Sequence, residues 1–162
     1  MEEIIKAVCR SCDMVMATFF PDEPKAAVSS EIGRTFTASS RVVSVGVAGD
    51  YRGMLLLLYE DSQLTNLAEG FMGMPLEDGM EEFADDALIE IGNQIVARTA
   101  VEIANNSIGS VDITPPSLLC SEEPMNLAWT RMKTKVIRVG EEPTYFHLAV
   151  GLSPGPKKIS VK

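Results

Sequence analysis

Apolar residues recur at helical spacing in two long stretches of the chain, and in alternating or continuous runs between and after them. Residues 3–20 place Ile5, Val8, Cys12, Val15, Met16 and Phe19 on one side of a helical period, and PDEP at 21–24 stops that helix because proline cannot continue it. After a polar linker, RTFTASS and RVVSVGVAG read as strands, and the bend GDYRG at 49–53 turns the second of them back into MLLLLY as a hairpin. A short helix through NLAEGF follows, with Asp61 or Ser62 as its cap and Gly70 and Gly73 near its exit, and PLEDG at 75–79 is a turn.

The second long stretch contains DALIEIGNQIVARTA and runs on to SVDITPP, ending at Pro116. At about 100° per residue, Leu88, Ile91, Ile95, Val96, Thr99 and Ile103 form one apolar arc, while Asp86, Glu90, Asn93 and Ala97 line the opposite side. Ala97 and Ala104 stand where a solvated helix more often carries Lys or Glu, so another surface can approach that side closely. Glu81, Glu82, Asp85 and Asp86 fall in the first turns, where the helix dipole favours negative charge. The helix is expected to end between 106 and 109, with Gly109 as a left-handed exit. Pro115 and Pro116 then limit strand pairing and mark a sheet edge or a bend. LAWTRMKTKVIRV and TYFHLAVGL form a second hairpin about GEEP at 140–143, and SPGPKKISVK is a tail.

The fold class this predicts is α+β: two long helices packed on an antiparallel sheet built from hairpins, with a short helix between the halves. A long helix followed by a hairpin occurs twice, an internal pseudo-duplication in which Asp13 falls opposite Asn93 and Arg10 opposite Glu90. With 162 residues, 46% hydrophobic and 23% charged, the chain fits a single domain over 1–152 with a tail at 153–162. A net charge of -9 leaves no basic stripe and argues against nucleic acid. The apolar run at 54–59 is far short of the roughly 20 residues of a membrane helix, and the acidic start MEEIIKAVCR is unlike a secretory signal, which places the chain in the cytoplasm.

Three cysteines and one histidine limit the remaining chemistry. Cys9 and Cys12 make a C-x-x-C, but zinc needs about four ligands and only Cys120 and His147 can be added, while a redox pair belongs at a strand-to-helix junction. Core or partly buried thiols, and a core or edge histidine, are the better readings. No nucleotide-binding glycine motif is present. Glu90 and Asn93 remain. An amide does not titrate near neutral pH, so Asn93 is not a general base, but it can accept and donate hydrogen bonds at once and hold a water in line for attack. Glu90, one turn earlier, can pair with a cation. The rest of such a site has to come from a partner.

The pattern Asp86-x-x-x-Glu90-x-x-Asn93, with Pro116 after it, an FMGM…DG turn before it and ITPPSLL beyond, resembles the signature of the CheC/CheX/FliY phosphatases of bacterial chemotaxis, over roughly residues 1–152. The lone intact motif, with Lys6, Arg10 and Asp13 where a second copy would lie, resembles the CheX branch most. The resemblance implies hydrolysis of the phosphoaspartate of a CheY-like response regulator, with Glu90 on the regulator's active-site lysine and Asn93 aligning the water. It implies Mg²⁺ held by the regulator, no cofactor of this chain's own, a docking surface including Asp86, Gln94 and Ala97, a shaping role for Pro116, and a homodimer. The alternative is a non-catalytic module of the same fold that docks on a regulator or another chemotaxis component.

Overall fold

The computed structural model describes residues 1–21, 27–32, 35–38, 40–128 and 134–156. Positions 22–24 of the expected helix stop, Arg34 and Ser39 at the ends of RTFTASS, residues 129–133 inside the penultimate expected strand, and tail residues 157–162 lie outside them.

Three α-helices and an antiparallel sheet make an α+β fold. Helix α1 is Glu2–Phe19. Strands β1 (Ala27–Ile32) and β2 (Thr35–Ala38) follow, then the hairpin of β3 (Arg41–Gly49) and β4 (Tyr51–Tyr59). A 3₁₀ turn at Asp61–Gln63 opens α2 (Leu64–Met72), and α3 (Glu81–Asn105) comes next. The chain closes with β5 (Val111–Ile113), β6 (Ser117–Cys120), β7 (Met125–Ala128), β8 (Thr134–Val139) and β9 (Phe146–Pro154). The main sheet runs β1-β8-β9-β4-β3-β5, with β6 also on β3, and β2 pairs β7 as a separate ribbon. Exchanging β1 with the β5/β6 edge, β8 with β3 and β9 with β4 returns the same order.

Alternation along the strands sorts the core into two clusters. Val43, Val45, Leu55, Leu57, Ile137, Phe146 and Leu148 pack against Ile4, Val8, Cys12, Leu88, Ile91 and Ile95 of the helices. On the other face Val42, Leu56, Leu58, Val136 and Ala149 form a smaller cluster, against which Met125 and Leu127 of β7 pack. Both expected hairpins are present, with Leu57 opposite Val43 across β3/β4 and Leu148 opposite Ile137 across β8/β9, but LAWTRMKTKVIRV is not one strand: Leu127 and Ala128 lie in β7, paired with β2, and the hairpin strand is Thr134–Val139.

Several local expectations are corrected. The polar linker after α1 contains β1, which pairs β8. Its sequence AVSSEI is small and polar, and the pairing comes from the distant strand. Neither Asp61 nor Ser62 caps α2; the Asp61 carboxylate instead accepts a hydrogen bond from Ser40. Gly73, at φ 69, does end α2, but Gly70 leaves room for the Phe20 ring. At the end of α3 the left-handed residue is Ser107 (φ 56), not Gly109. Ile108 N–H donates to the Ile103 carbonyl at 3.0 Å and Ser107 N–H to that of Ala104 at 3.1 Å, a Schellman closure whose apolar partner, Ile108, lies on the core. Gly109 instead lies close to Asp50 and Tyr51, whose side chains a Cβ there would meet at 3.2 Å.

The proline pair behaves as expected. β5 and β6 share β3 as neighbour, and Pro115-Pro116 interrupts them where Thr114 Oγ1 accepts from Gly46 N–H at 2.8 Å. Ser107→Gly removes the left-handed penalty and is expected to raise stability by about 0.5–1 kcal/mol. Urea denaturation with an unchanged midpoint would contradict this reading of the helix end.

Candidate functional site

The geometry of α3 follows from its inner side. Gly92 is buried against the sheet, where an added Cβ would meet Val43 Cγ1 at 2.9 Å and Leu57 at 3.4 Å. Only a residue without a side chain lets the helix lie this close. With Leu88, Ile91, Ile95, Val96, Thr99 and Ile103 all buried, the rotation of α3 is fixed, and the residues opposite that arc must face outward.

Those residues are the ones the periodicity selects. Asp86 and Ala97 are exposed, and Glu90, Asn93 and Gln94 are partly exposed. Asn93 Nδ2 donates to Glu90 Oε2 at 3.4 Å, and Gln94 Nε2 donates to Glu90 Oε1 at 3.1 Å. The two oxygens of one carboxylate are thus each held by an amide. The Asn93 bond is long and weak, so its amide can leave when a better partner arrives. Pro116 is on none of these helical turns: it precedes β6, on the β5/β6 edge beside β3.

Ion pairs tie α3 to its surroundings. Arg41, the first residue of β3, donates from Nε to Asp85 Oδ1 at 3.1 Å. Arg10 of α1 donates to Glu102 Oε2 at 3.1 Å, and Arg98 lies 3.7 Å from Glu102 Oε1. Asp85 therefore has a cationic partner in addition to the helix-start role read from the sequence.

Two features of the outer stripe were not legible as expected. The stripe is not lined by small residues alone: Phe83 is 55% exposed and Val101 48% exposed. The helical phase that selects Glu90 and Ala97 also selects both, seven residues before Glu90 and four after Ala97. Gly92, buried beneath the pair, has a sequence signal of its own, because a glycine in the middle of a strongly helical stretch marks a close approach.

The other candidates are set apart from the pair. Cys12 is buried, Cys9 half-buried and Cys120 exposed, and all three are free thiols. Burial pushes the Cys12 and Cys9 thiols above their ordinary values, so they are held protonated. His147 alternates with the inward Phe146 and Leu148 and so faces the side of the sheet away from α3, where burial lowers its imidazole below the usual value. Among the described residues no three His, Cys, Asp or Glu side chains converge in a way that could hold a metal ion, and no helix is long and apolar enough to cross a membrane.

An antiparallel sheet with its helices on one face is also the fold of the CheC-like superfamily protein from Shewanella, to which this chain is similar with a TM-score of 0.73 at 11% identity, covering 93% of this chain and 97% of that one. The chain belongs to the CheX family: the family described as chemotaxis phosphatase CheX matches residues 41–138, more than half of the sequence. It is 25% identical over 130 residues to the CheY-P phosphatase CheX of Thermotoga maritima, covering 79% of this chain and 83% of that one. Its fold is similar to that of chemotaxis protein CheX from Desulfovibrio desulfuricans, with a TM-score of 0.74, 14% identity, and coverage of 94% and 99%. It is similar also to a chain of the CheX-CheY-BeF3-Mg complex from Borrelia burgdorferi, with a TM-score of 0.67, 16% identity, and coverage of 91% and 96%.

If Gly92 sets the height and rotation of α3, a bulky replacement has to push the helix off β3. Gly92→Leu is expected to lose about 2–3 kcal/mol of stability, measured by urea unfolding. A variant as stable as the parent would show that the close approach is dispensable.

Proposed function

We propose that this protein hydrolyses the phosphoaspartate of a CheY-like response regulator, with Glu90 and Asn93 as its catalytic contribution. The observation that carries this reading is the pair itself: a carboxylate and an amide, one turn apart and in contact at 3.4 Å, on an outward stripe of α3 that a second protein can reach. Family membership and the relative named as a CheY-P phosphatase support it.

In this mechanism α3 docks across the phosphorylated face of the regulator. The Glu90 carboxylate pairs with the regulator's active-site lysine, a charge-assisted bond that draws the carboxylate away from Asn93. The freed Asn93 amide enters the site and holds a water by its carbonyl oxygen and N–H. Water attacks phosphorus in line with the acyl oxygen, the P–O bond to aspartate breaks, and the aspartate leaves as a carboxylate. The water's proton leaves to solvent, because the amide cannot take it. Mg²⁺ belongs to the regulator's side of the interface, where it supplies charge stabilisation to the phosphoryl oxygens; the Borrelia CheX-CheY complex was obtained with this ion. Gln94 keeps hold of Glu90 Oε1, and Asp86 and Ala97 lie in the docking surface. Pro116 shapes the chain after α3 without touching the chemistry.

The same reading takes 1–152 as one phosphatase domain with 153–162 as its tail, in a cytoplasmic homodimer. It takes the fold as an internal duplication, supported by the strand order that reads alike from both edges. In that view the α1 half carries no second site, because Arg10 and Asp13 replace Glu and Asn.

The roles separate in kinetics. Asn93→Ala is expected to lower phosphate release at saturating regulator by about 100-fold, the scale set by loss of orientation, with docking nearly intact. Glu90→Ala is expected to weaken docking by about 10–100-fold, the scale of a hydrogen bond to a charged group. Phosphate release measured with a phosphorylated receiver domain checks both. Parental release no faster than that of Asn93→Ala would contradict the enzymatic reading and favour a module that binds without hydrolysis.

A further inference from the structure

We propose that Phe83 is the apolar anchor with which α3 seats the receiver domain of its partner, so that the docking surface extends along the helix from Phe83 past Glu90 and Asn93 to Val101. The inference rests on the proposed function and adds to it the residue that supplies grip.

Phe83 is the most exposed of the large hydrophobic side chains in the described residues, at 55%, and it belongs to neither core cluster. Its outward position is set by helical phase. The buried arc begins at Ala87 and Leu88, and Phe83 lies outside it, on the stripe that continues through Glu90 and Ala97 at intervals of seven residues. An exposed phenylalanine at the start of a helix does nothing for folding that alanine would not do better. Its flanking residues Glu82 and Asp86 are both exposed. A ring inside an acidic rim has the composition of an interface hot spot, an apolar centre surrounded by polar groups that exclude water.

Size supports the extension. A stable protein–protein contact buries roughly 800 Å² on each partner. One half-buried glutamate and one half-buried asparagine cannot provide that area, and the small residues Ala97 and Ala104 add little. From Phe83 to Glu90 is about 10 Å along the axis, and from Phe83 to Val101 about 27 Å, most of the roughly 32 Å across a circular patch of 800 Å². With Glu90 and Asn93 directed at the acyl phosphate, the axis of α3 crosses the phosphorylated face, and Phe83 reaches the rim of that face on one side. The occupant is therefore a receiver domain with its reactive lysine and acyl phosphate at the centre and an apolar recess about 10 Å away, bordered by cationic groups that match Glu82 and Asp86.

The division of labour is testable because an anchor grips substrate and transition state alike, and so moves affinity but not the saturated rate. The experiment uses the full chain and the CheY-type receiver domain on which it acts, first charged with beryllofluoride and Mg²⁺ for binding titrations, then phosphorylated for kinetics. Phe83→Ala is expected to weaken binding and raise KM by about 10-fold with kcat within twofold of the parent. Phe83→Leu is expected to restore most of the loss, and Val101→Ala to cost about threefold. An unchanged melting temperature for Phe83→Ala, expected of an exposed side chain, rules out misfolding as the cause. Parental affinity in Phe83→Ala, or a fall in kcat without a change in affinity, would overturn the anchor while leaving the Glu90/Asn93 chemistry standing. Failure of that chemistry registers separately, as an Asn93→Ala variant no slower than its parent.

Discussion

What α3 can do depends on how closely it lies against the sheet at Gly92. A Cβ there would stand 2.9 Å from Val43 Cγ1, inside any real contact, so the helix backbone rests on the side chains of β3 and β4 with nothing between. That contact, together with the buried arc from Leu88 to Ile103, leaves one rotation of the helix about its axis. Glu90 and Asn93 then face outward as a geometric consequence. The site needs no loop to form it, and a rigid helix holds two side chains more exactly than a flexible segment would.

Electrostatics refine this placement without creating it. The Arg41–Asp85 pair links the start of β3 to the second turn of α3, but both side chains are about a third exposed, at 29% and 31%, and such a pair contributes under about 1 kcal/mol. The Glu102 carboxylate is better sheltered, at 13% exposure, and takes Arg10 from α1 and Arg98 from its own helix. These contacts fix the relation of α1 to the far end of α3. The acidic surface around Phe83, Asp86 and Glu90 faces outward on a chain with a net charge of -9, and under the proposed function it meets a partner whose reactive face carries a lysine.

Much of this was legible in the sequence because periodicity carries it. The apolar spacing of 3–20 and of the stretch after 86 gave both α1 and α3, alternation and Gly-containing turns gave the two hairpins, and Pro115-Pro116 marked the interrupted edge beside β3. The misses have physical causes. β1 is stabilised by pairing with β8 more than a hundred residues away, and nothing local in AVSSEI announces a strand. Ser107 takes the left-handed position because the Schellman bonds to Ile103 and Ala104 hold it there, where propensity alone favours Gly109. Asp61 is diverted from capping by Ser40, a partner brought in by the tertiary fold. At the site, helical phase found Glu90, Asn93 and Ala97, while the amide bonds that fix the Glu90 carboxylate depend on rotamers that a sequence does not encode.

In the free protein the Glu90 carboxylate is shared by two amides, and in the proposed complex it exchanges the weaker of them for a lysine. Under the proposed function this exchange couples recognition to chemistry, since a lysine that draws the Glu90 carboxylate away also frees the Asn93 amide to order water. A double-mutant cycle tests it most directly, pairing Glu90→Gln in this chain with Lys→Met at the active-site lysine of the receiver domain and reading affinity for the beryllofluoride-charged form. The account predicts a coupling energy of about 1.5–3 kcal/mol between the two positions. Additive losses would contradict it, because Glu90 and the lysine would then act on the complex independently.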